Sequence, residues 1–362
     1  MKNKAFEIIE RLEKEHSLKT EEYEYLVREF SPETAFFAAE KALEAKKAVY
    51  GNSIYIRGLI EISNICKNDC LYCGIRASNQ NAVRYRLDCE DILSSCKIGY
   101  ELGFRTFVMQ GGEDMHFTDD AMCSIISQIK KNHPDCAITL SIGERSFDSY
   151  KKLFDAGADR YLLRHETADS CHYSKLHPEA MSFQNRMECL RNLKSIGYQV
   201  GCGFMVGSPH QTASALAKDL KFIEEFSPDM CGIGPFIPHK DTEFASYKPG
   251  SAELTCYLLS LIRLIKPNIL LPATTALATL TPNGRTLAIK SGANVIMPNL
   301  SPKEARENYT LYDNKAHSGM ESAQFLKELS AQLMKIDAHI VTDRGDIKLN
   351  ENRKKEICND EI

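Results

Sequence analysis

Apolar and polar positions along this chain form a repeating pattern of short strand-like runs and longer amphipathic stretches. Apolar runs predict strands at residues 54–63, 105–110, 137–142, 160–166, 198–206, 230–236, 268–273 and 293–298. Apolar residues at helical spacing predict the intervening helices at residues 89–102, 119–131, 146–156, 183–196, 213–226, 252–265 and 285–291. Four helices end in a glycine, as helix C-termini favour: Gly103, Gly157, Gly197 and Gly292. This alternation predicts an α/β fold, a (β/α)8 TIM-type barrel with its active site at the C-terminal ends of the strands.

The pattern differs at both ends of the chain, which divides it into three parts. Residues 1–50 predict an N-terminal helical extension, in which Ser31 is an N-cap, Pro32 opens a helix and Gly51 ends it. Residues 51–310 form the predicted barrel. Residues 311–362 predict one amphipathic helix at 318–336, followed by a charged tail with disorder at its end.

Composition narrows the possible functions. The 362 residues are 43% hydrophobic and 26% charged, as in an ordinary globular protein with a large core. A formal net charge of -4 gives no reason to expect a nucleic-acid partner. The chain has no apolar run long enough to cross a membrane, and Met1–Glu10 does not resemble a signal peptide. We therefore expect a cytoplasmic protein with no membrane partner.

Three closely spaced cysteines follow the first predicted strand. Cys66, Cys70 and Cys73 form a C-x3-C-x2-C motif, and Tyr72 places an aromatic ring beside the third cysteine. Cysteine thiolates bind iron–sulfur clusters, and three ligands leave one iron of a four-iron cluster open to another molecule. A zinc site is the alternative, but the chain has no second C-x2-C or H-x3-H pair to complete it. The other ten cysteines are mostly isolated and are expected to be buried as small apolar side chains.

The second strand ends in a glycine-rich turn, Gln110-Gly111-Gly112-Glu113. Glycine lets the backbone approach a ligand closely, and exposed carbonyls with Glu113 suit an ammonium group. A turn that merely requires glycine is the alternative.

The fourth strand carries charged residues that alternate with apolar ones. Arg160, Arg164 and Glu166 alternate on one face of this strand, which predicts a site for an anion and a ribose. Arg186, at the start of the next helix, is a further candidate for binding a carboxylate. The alternative is an internal Arg–Glu pair that only braces the barrel. His165 points to the opposite face, which favours a structural role.

The cysteine motif and the glycine-rich turn together resemble the signature of radical S-adenosylmethionine (SAM) enzymes. The segments RYLLRHETA, GIGPFIPHKDT, PATTA and GANVIMPN resemble the HydE family of FeFe-hydrogenase maturases. That family belongs to a group with biotin synthase and methylornithine synthase. The resemblance covers roughly residues 55 to 310.

The resemblance implies a set of site residues and cofactors. Cys66, Cys70 and Cys73 would bind a 4Fe-4S cluster, with Tyr72 beside it. SAM would be contacted by Gln110, Gly112, Arg164, Glu166, Arg186 and Met297. The SAM or substrate cavity would include Thr139, Ser141, Arg160, Thr274, Thr275 and Tyr309. Some family members bind a second cluster through C-terminal cysteines, but Tyr309–Ile340 contains none, so we expect one cluster.

In the family, the reduced cluster transfers an electron to SAM, and the resulting 5′-deoxyadenosyl radical attacks a substrate. The resemblance implies an organometallic iron–cysteine substrate whose product enters the di-iron cofactor of hydrogenase. The implied partners are an electron donor such as ferredoxin or flavodoxin, and other hydrogenase maturases.

Three other functions are consistent with parts of this pattern. Biotin synthase needs further cysteines inside the barrel; Cys136 and Cys202 lie near suitable strands, but strand 2 has Val108 and Met109 where a partner is needed. Methylornithine synthase shares the group. A non-catalytic iron–sulfur carrier would bind the cluster without cleaving SAM.

Overall fold

The computed structural model describes residues 4–316 and 321–348. Its helices are α1 (Lys4–Glu15), α2 (Thr20–Arg28), α3 (Pro32–Tyr50), α4 (Cys89–Glu101), α5 (Asp119–Asn132), α6 (Phe147–Asp155), α7 (Ser170–Leu176), α8 (Phe183–Ile196), α9 (Ala213–Phe226), α10 (Ala252–Ile265), α11 (Thr275–Leu280), α12 (Gly284–Lys290), α13 (Lys303–Asn308) and α14 (Ser322–Met334). Its strands are β1 (Ser53–Ile56), β2 (Gly58–Ser63), β3 (Thr106–Gly111), β4 (Ala137–Ser141), β5 (Arg160–Leu162), β6 (Gln199–Cys202), β7 (Met205–Val206), β8 (Met230–Cys231), β9 (Gly234–Pro235), β10 (Val295–Ile296) and β11 (His339–Val341). The disorder predicted at the end of the tail falls on residues 349–362, outside the described residues.

A parallel sheet forms most of the barrel wall. Six strands hydrogen-bond in the order β2-β3-β4-β5-β6-β8. Isolated bridges at Met230–Leu270 and Pro272–Val295 continue the barrel wall from β8 to β10. β10 pairs with β1, and a Leu59–Asn299 bridge joins β2 to the same side. The wall therefore returns to its first strand, which confirms the predicted barrel.

The strand predicted at residues 54–63 closes this ring. It is divided at Arg57, so that β1 pairs with β10 while β2 pairs with β3. The amides of Arg57 and Leu59 donate to the carbonyls of Ile296 and Pro298, at 2.9 Å each. One predicted strand therefore forms both β1 and β2, which pair with β10 and β3 on either side of the closure.

Most other predicted strands are shorter in the structure. The predicted strand at 160–166 ends at Leu162, and Glu166 has a left-handed backbone with φ of 64°. An extended strand cannot include that conformation. The simple alternation of side chains expected for residues 160–166 is therefore wrong beyond Leu162.

The N-terminal helices cover one side of the barrel. α3 begins as predicted: the Ser31 side chain accepts the Thr34 N–H, and Pro32 occupies the first turn. α3 packs along α10, α1 also contacts α10, and α2 packs against α9. This second layer explains why α10 is apolar on nearly every face, since burial on one side only would leave a polar stripe.

Within the described part of the chain, no helix is both long and apolar enough to span a membrane.

The segment after α14 closes the N-terminal end of the barrel, which the sequence did not predict. β11 pairs in parallel with β1, and residues 343–348 then cross the barrel floor. There the Arg344 carbonyl accepts hydrogen bonds from Thr106 Oγ1 and Arg160 Nη2, at 2.7 and 2.9 Å. Arg160 Nη2 also lies 2.5 Å from Asp346 Oδ1. A charged tail packs here because the barrel supplies buried polar partners.

We predict that Asp346→Asn lowers the free energy of unfolding by about 2 kcal/mol at neutral pH. Removing one partner of a buried ion pair leaves an uncompensated charge, and the partial exposure of Asp346 reduces the cost. Urea denaturation measures the change, with the exposed Glu328→Gln as the control, expected to shift stability by less than about 0.5 kcal/mol.

The same pair predicts a pH dependence. Burial opposes ionisation of Asp346, but the charge of Arg160 and the hydrogen bonds from Arg344, Gln199 and Arg160 together outweigh it and lower the pKa of Asp346 from 3.8 to about 2. A lowered folded-state pKa stabilises the fold above the unfolded pKa, and this stabilisation is lost as the pH falls toward 2. The gap between wild type and Asp346→Asn should therefore be constant near neutral pH and narrow below about pH 4. A gap that widens on acidification would contradict the assignment.

Candidate active site

A cavity of about 370 Å³ lies inside the barrel and reaches the C-terminal ends of the strands. The structure brings nearly all of the predicted site residues to its wall. They are Cys66, Cys70, Tyr72, Cys73, Gln110, Gly112, Thr139, Ser141, Arg164, Glu166, Arg186, Thr274, Thr275, Met297 and Tyr309. Residues that are far apart in the sequence therefore share one enclosure.

Arg160 is the exception, and its predicted place in the cavity is wrong. It is fully buried at the barrel floor, where it contacts Asp346 and donates to Thr106 Oγ1 at 3.0 Å. Side-chain alternation along a strand gives the face of a residue, but not its height in the barrel. The bracing role weighed as the alternative describes Arg160 correctly, with Asp346 as the carboxylate.

The loop that carries the three cysteines, residues 64–88, is called here the cluster loop. Its three thiols are largely shielded from water. Burial raises the pKa of the Cys66 thiol and raises that of Cys73 to about 12. The pKa of Cys70 is raised by burial and by the two neighbouring thiols. Such thiols become thiolates when a metal centre compensates their charge, and soft thiolates are the ligands that iron–sulfur clusters use. The backbone amides of Asn68 and Glu113 also point at Cys66 Sγ, at 3.4 and 3.3 Å.

The glycine-rich turn at the end of β3 supports this loop. A Cβ at Gly112 would overlap the carbonyl oxygen of Ile65 and would lie 2.7 Å from Cys66 Cβ. The carbonyl of Glu113 accepts the Lys67 N–H at 3.1 Å. The Glu113 carboxylate accepts the Glu144 N–H at 2.9 Å and lies 3.2 Å from Lys67 Nζ. The expected contact of that carboxylate with an ammonium group therefore competes with two partners already in place.

Several buried polar atoms on the cavity wall have no hydrogen-bond partner among the residues described. They are Thr139 Oγ1, Thr274 Oγ1, Arg164 Nε and Nη2, and Glu166 Oε2. Arg164 Nη2 lies 3.2 Å from Glu166 Oε2, an ion-pair distance without hydrogen-bond geometry. Because buried polar groups are nearly always paired, these atoms indicate a polar ligand. The adenosyl and methionine parts of SAM carry the hydroxyl, amino and carboxylate groups that would pair with them.

Arg186 holds this part of the wall in place. Its Nε lies 2.5 Å from Glu144 Oε1, and its Nη1 donates to the Arg164 carbonyl at 2.8 Å. The guanidinium is thus engaged on two sides, and its predicted contact with SAM remains a prediction.

Sequence reasoning missed a strap, residues 309–316, that crosses the mouth of the barrel. Lys315 Nζ contacts Glu61 Oε1 at 2.5 Å and the Tyr309 carbonyl at 3.1 Å. Gly74 of the cluster loop donates its N–H to the Leu311 carbonyl at 3.0 Å. Burial raises the pKa of Glu61, and the charge of Lys315 opposes that rise. A glutamate within an apolar strand was a visible signal for a paired site, but nothing near Lys315 identifies it as the partner.

The cysteines weighed for a second cluster do not reach the cavity. Cys136 and Cys202 are fully buried in the core between the barrel wall and its helices. Among the described residues, the cysteines lining the cavity are those of the triplet. The geometry therefore gives no support to a sulfur-donating cluster of the biotin synthase kind.

The fold and the site together define an α/β barrel with a three-thiol centre at its mouth. Residues 60–223 match the family model for the radical SAM superfamily. The chain is 46% identical over 272 residues to the FeFe hydrogenase maturase subunit HydE of Thermotoga maritima, covering 75% of this chain and 77% of that protein. The chain therefore belongs to the radical SAM superfamily and, within it, to the HydE family.

Two further comparisons involve methylornithine synthases. The chain is 29% identical over 282 residues to 3-methylornithine synthase of Methanosarcina acetivorans, covering 76% of this chain and 78% of that protein. The crystal structure of methylornithine synthase (PylB) superimposes with a TM-score of 0.80 at 24% identity, over 92% of this chain and 97% of the other. The superposition confirms the fold. Superfamily membership implies a 4Fe-4S cluster, SAM as cofactor and enzymatic cleavage of SAM.

We predict that Gly112→Ala reduces the iron bound after anaerobic reconstitution by more than half, because the new methyl group displaces the loop carrying Cys66. Iron and sulfide analysis measures this. Gly232→Ala is the matched control, since a Cβ at that cavity-wall glycine meets only Pro272 at 3.7 Å and Cys202 at 4.0 Å. Equal iron content in both variants would show that Gly112 does not support the cluster loop.

Proposed function

We propose that this protein is a hydrogenase maturase that cleaves SAM reductively and acts on an organometallic iron substrate during assembly of the di-iron cofactor. One observation carries the proposal: the three thiols line one cavity with polar atoms of Arg164 and Glu166 that have no hydrogen-bond partner among the described residues. The identity of 46% to a HydE protein supports the specific activity.

Different residues of the cavity wall would bind the cluster, SAM and the substrate. Cys66, Cys70 and Cys73 would hold a single 4Fe-4S cluster through their thiolates at the cavity wall. Gln110, Gly112, Arg164, Glu166, Arg186 and Met297 hold SAM, with Tyr72 beside the cluster. When bound, the cluster and SAM would supply adenosyl-radical chemistry. Thr139, Ser141, Thr274, Thr275 and Tyr309 line the space left for the substrate.

The enclosure protects that chemistry from water and from side reactions. The wall between the polar groups is apolar, with Leu59, Val108, Leu162 and Leu270 facing the cavity. The strap crosses the mouth, and residues 343–348 cross the floor. This apolar lining would limit the access of water to the reacting groups, which is the general value of an enclosed site.

The proposed activity requires partner proteins in the same compartment. An electron donor such as ferredoxin or flavodoxin supplies the reducing electron, and other hydrogenase maturases receive the product. These are cytoplasmic proteins, and we place this one with them. The absence of cysteines from the strap and from residues 321–340 supports one cluster rather than two.

The test is SAM cleavage by protein reconstituted anaerobically with iron and sulfide. We expect about four irons per chain and, after reduction, equal amounts of 5′-deoxyadenosine and methionine. The Cys66/Cys70/Cys73→Ala triple variant should bind little iron and form neither product. Full iron loading without cleavage, even with substrate candidates present, would support the iron–sulfur carrier instead. No bound iron would overturn the proposal.

We predict that Glu166→Gln weakens SAM binding roughly tenfold, because a charged hydrogen bond to the ribose becomes a neutral one. Equilibrium dialysis with the reconstituted protein measures the dissociation constant. Glu188→Gln is the control, a carboxylate on the exposed face of α8 that contacts Arg191. Unchanged affinity in Glu166→Gln would remove Glu166 from the SAM site.

A further inference from the structure

The cover segment, residues 170–182, packs against the cluster loop at three points. It comprises α7 and the connection to α8. The Leu71 amide donates to the Leu176 carbonyl at 3.0 Å. The Tyr72 hydroxyl lies 3.4 Å from His177 Nε2, and Cys70 Sγ lies 3.7 Å from Met181 Sδ. Three consecutive residues of the cluster loop thus have partners in one short segment.

The hydrogen bonds of His177 fix which of its nitrogens carries the proton. His177 Nδ1 lies 3.0 Å from the Tyr173 carbonyl, so Nδ1 must be the donor. The neutral ring then has Nε2 as an acceptor, and the Tyr72 hydroxyl must donate to it. The ring of Tyr173 stacks on His177, with centroids 3.9 Å apart, so the imidazole has little freedom to turn.

The orientation of Tyr72 follows from that fixed acceptor. Its ring meets the imidazole edge-on, at 5.5 Å and 88°, and it lines the cavity between Cys70 and Cys73. A tyrosine side chain has two rotatable bonds, and the hydrogen bond to His177 selects one position of the ring beside the thiols. His177 itself is 3% exposed and does not line the cavity.

We propose that His177 is a positioning residue for the SAM site, which acts by holding the Tyr72 hydroxyl so that the Tyr72 ring forms the cavity wall beside the cluster. This inference rests on the proposed function, because it assumes that SAM binds where Tyr72 faces the cavity. Neither the cysteine motif nor the matches to known proteins assigns a role to His177.

A double-mutant cycle tests whether His177 acts through that hydroxyl. Tyr72→Phe and His177→Leu should each weaken SAM binding about 3- to 10-fold, the effect of one hydrogen bond. The double variant should be no weaker than the worse single variant. His177→Gln places an amide oxygen near the position of Nε2 and should restore affinity to within about twofold.

Tyr173→Phe is the matched control in the same segment. The Tyr173 hydroxyl is buried without a partner in the described part of the chain, while its ring and carbonyl contact His177. Removing the hydroxyl should leave SAM affinity unchanged. Additive losses in the double variant, or a glutamine variant as weak as the leucine variant, would overturn the proposal.

A second measurement needs neither cluster nor SAM. In protein without iron, Tyr72→Phe and His177→Leu should accelerate amide exchange of the peptide covering residues 70–73 to the same extent, and the double variant no further. Unchanged exchange in His177→Leu would overturn the positioning role. If the wild type binds SAM but does not cleave it, the proposed function fails while both measurements still decide the role of His177.

Discussion

Closure of the barrel by its first strand is the constraint on which the site depends. Because residues 53–63 pair with β10 on one side and β3 on the other, all the strands point their C-terminal ends at one mouth. The cluster loop leaves the same strand at that mouth, so its thiols face the interior. If the closure failed, the glycine-rich turn after β3 and the charged groups after β5 would have no common space to line.

C-terminal segments lie across both ends of this barrel. The strap reaches the mouth through Lys315 and Glu61, and residues 343–348 reach the floor through Asp346 and Arg160. Glu61 and Arg160 are buried, and burying such charges costs desolvation that their partners Lys315 and Asp346 offset. Between the two segments lies a cavity whose wall is polar at a few points and apolar between them.

The sequence was sufficient where a signal is local. The three cysteines, the glycine-rich turn and the N-cap of α3 are each encoded within a few residues, and their positions could be predicted. Arg160 was misplaced because alternation along a strand does not give height in the barrel. Lys315 could not be assigned, because it is separated from Glu61 by 254 residues. The left-handed backbone at Glu166 departs from the strand pattern at a residue that lines the cavity.

The most direct test of the central claim is whether the open iron of a three-thiol cluster binds SAM. Electron–nuclear double resonance on the reduced, reconstituted protein, with SAM labelled with ¹⁵N at its amino group, measures this contact. We predict that SAM changes the paramagnetic resonance spectrum of the cluster and that a ¹⁵N hyperfine coupling appears. An unchanged spectrum with no nitrogen coupling, in protein that carries its full iron content, would contradict the account.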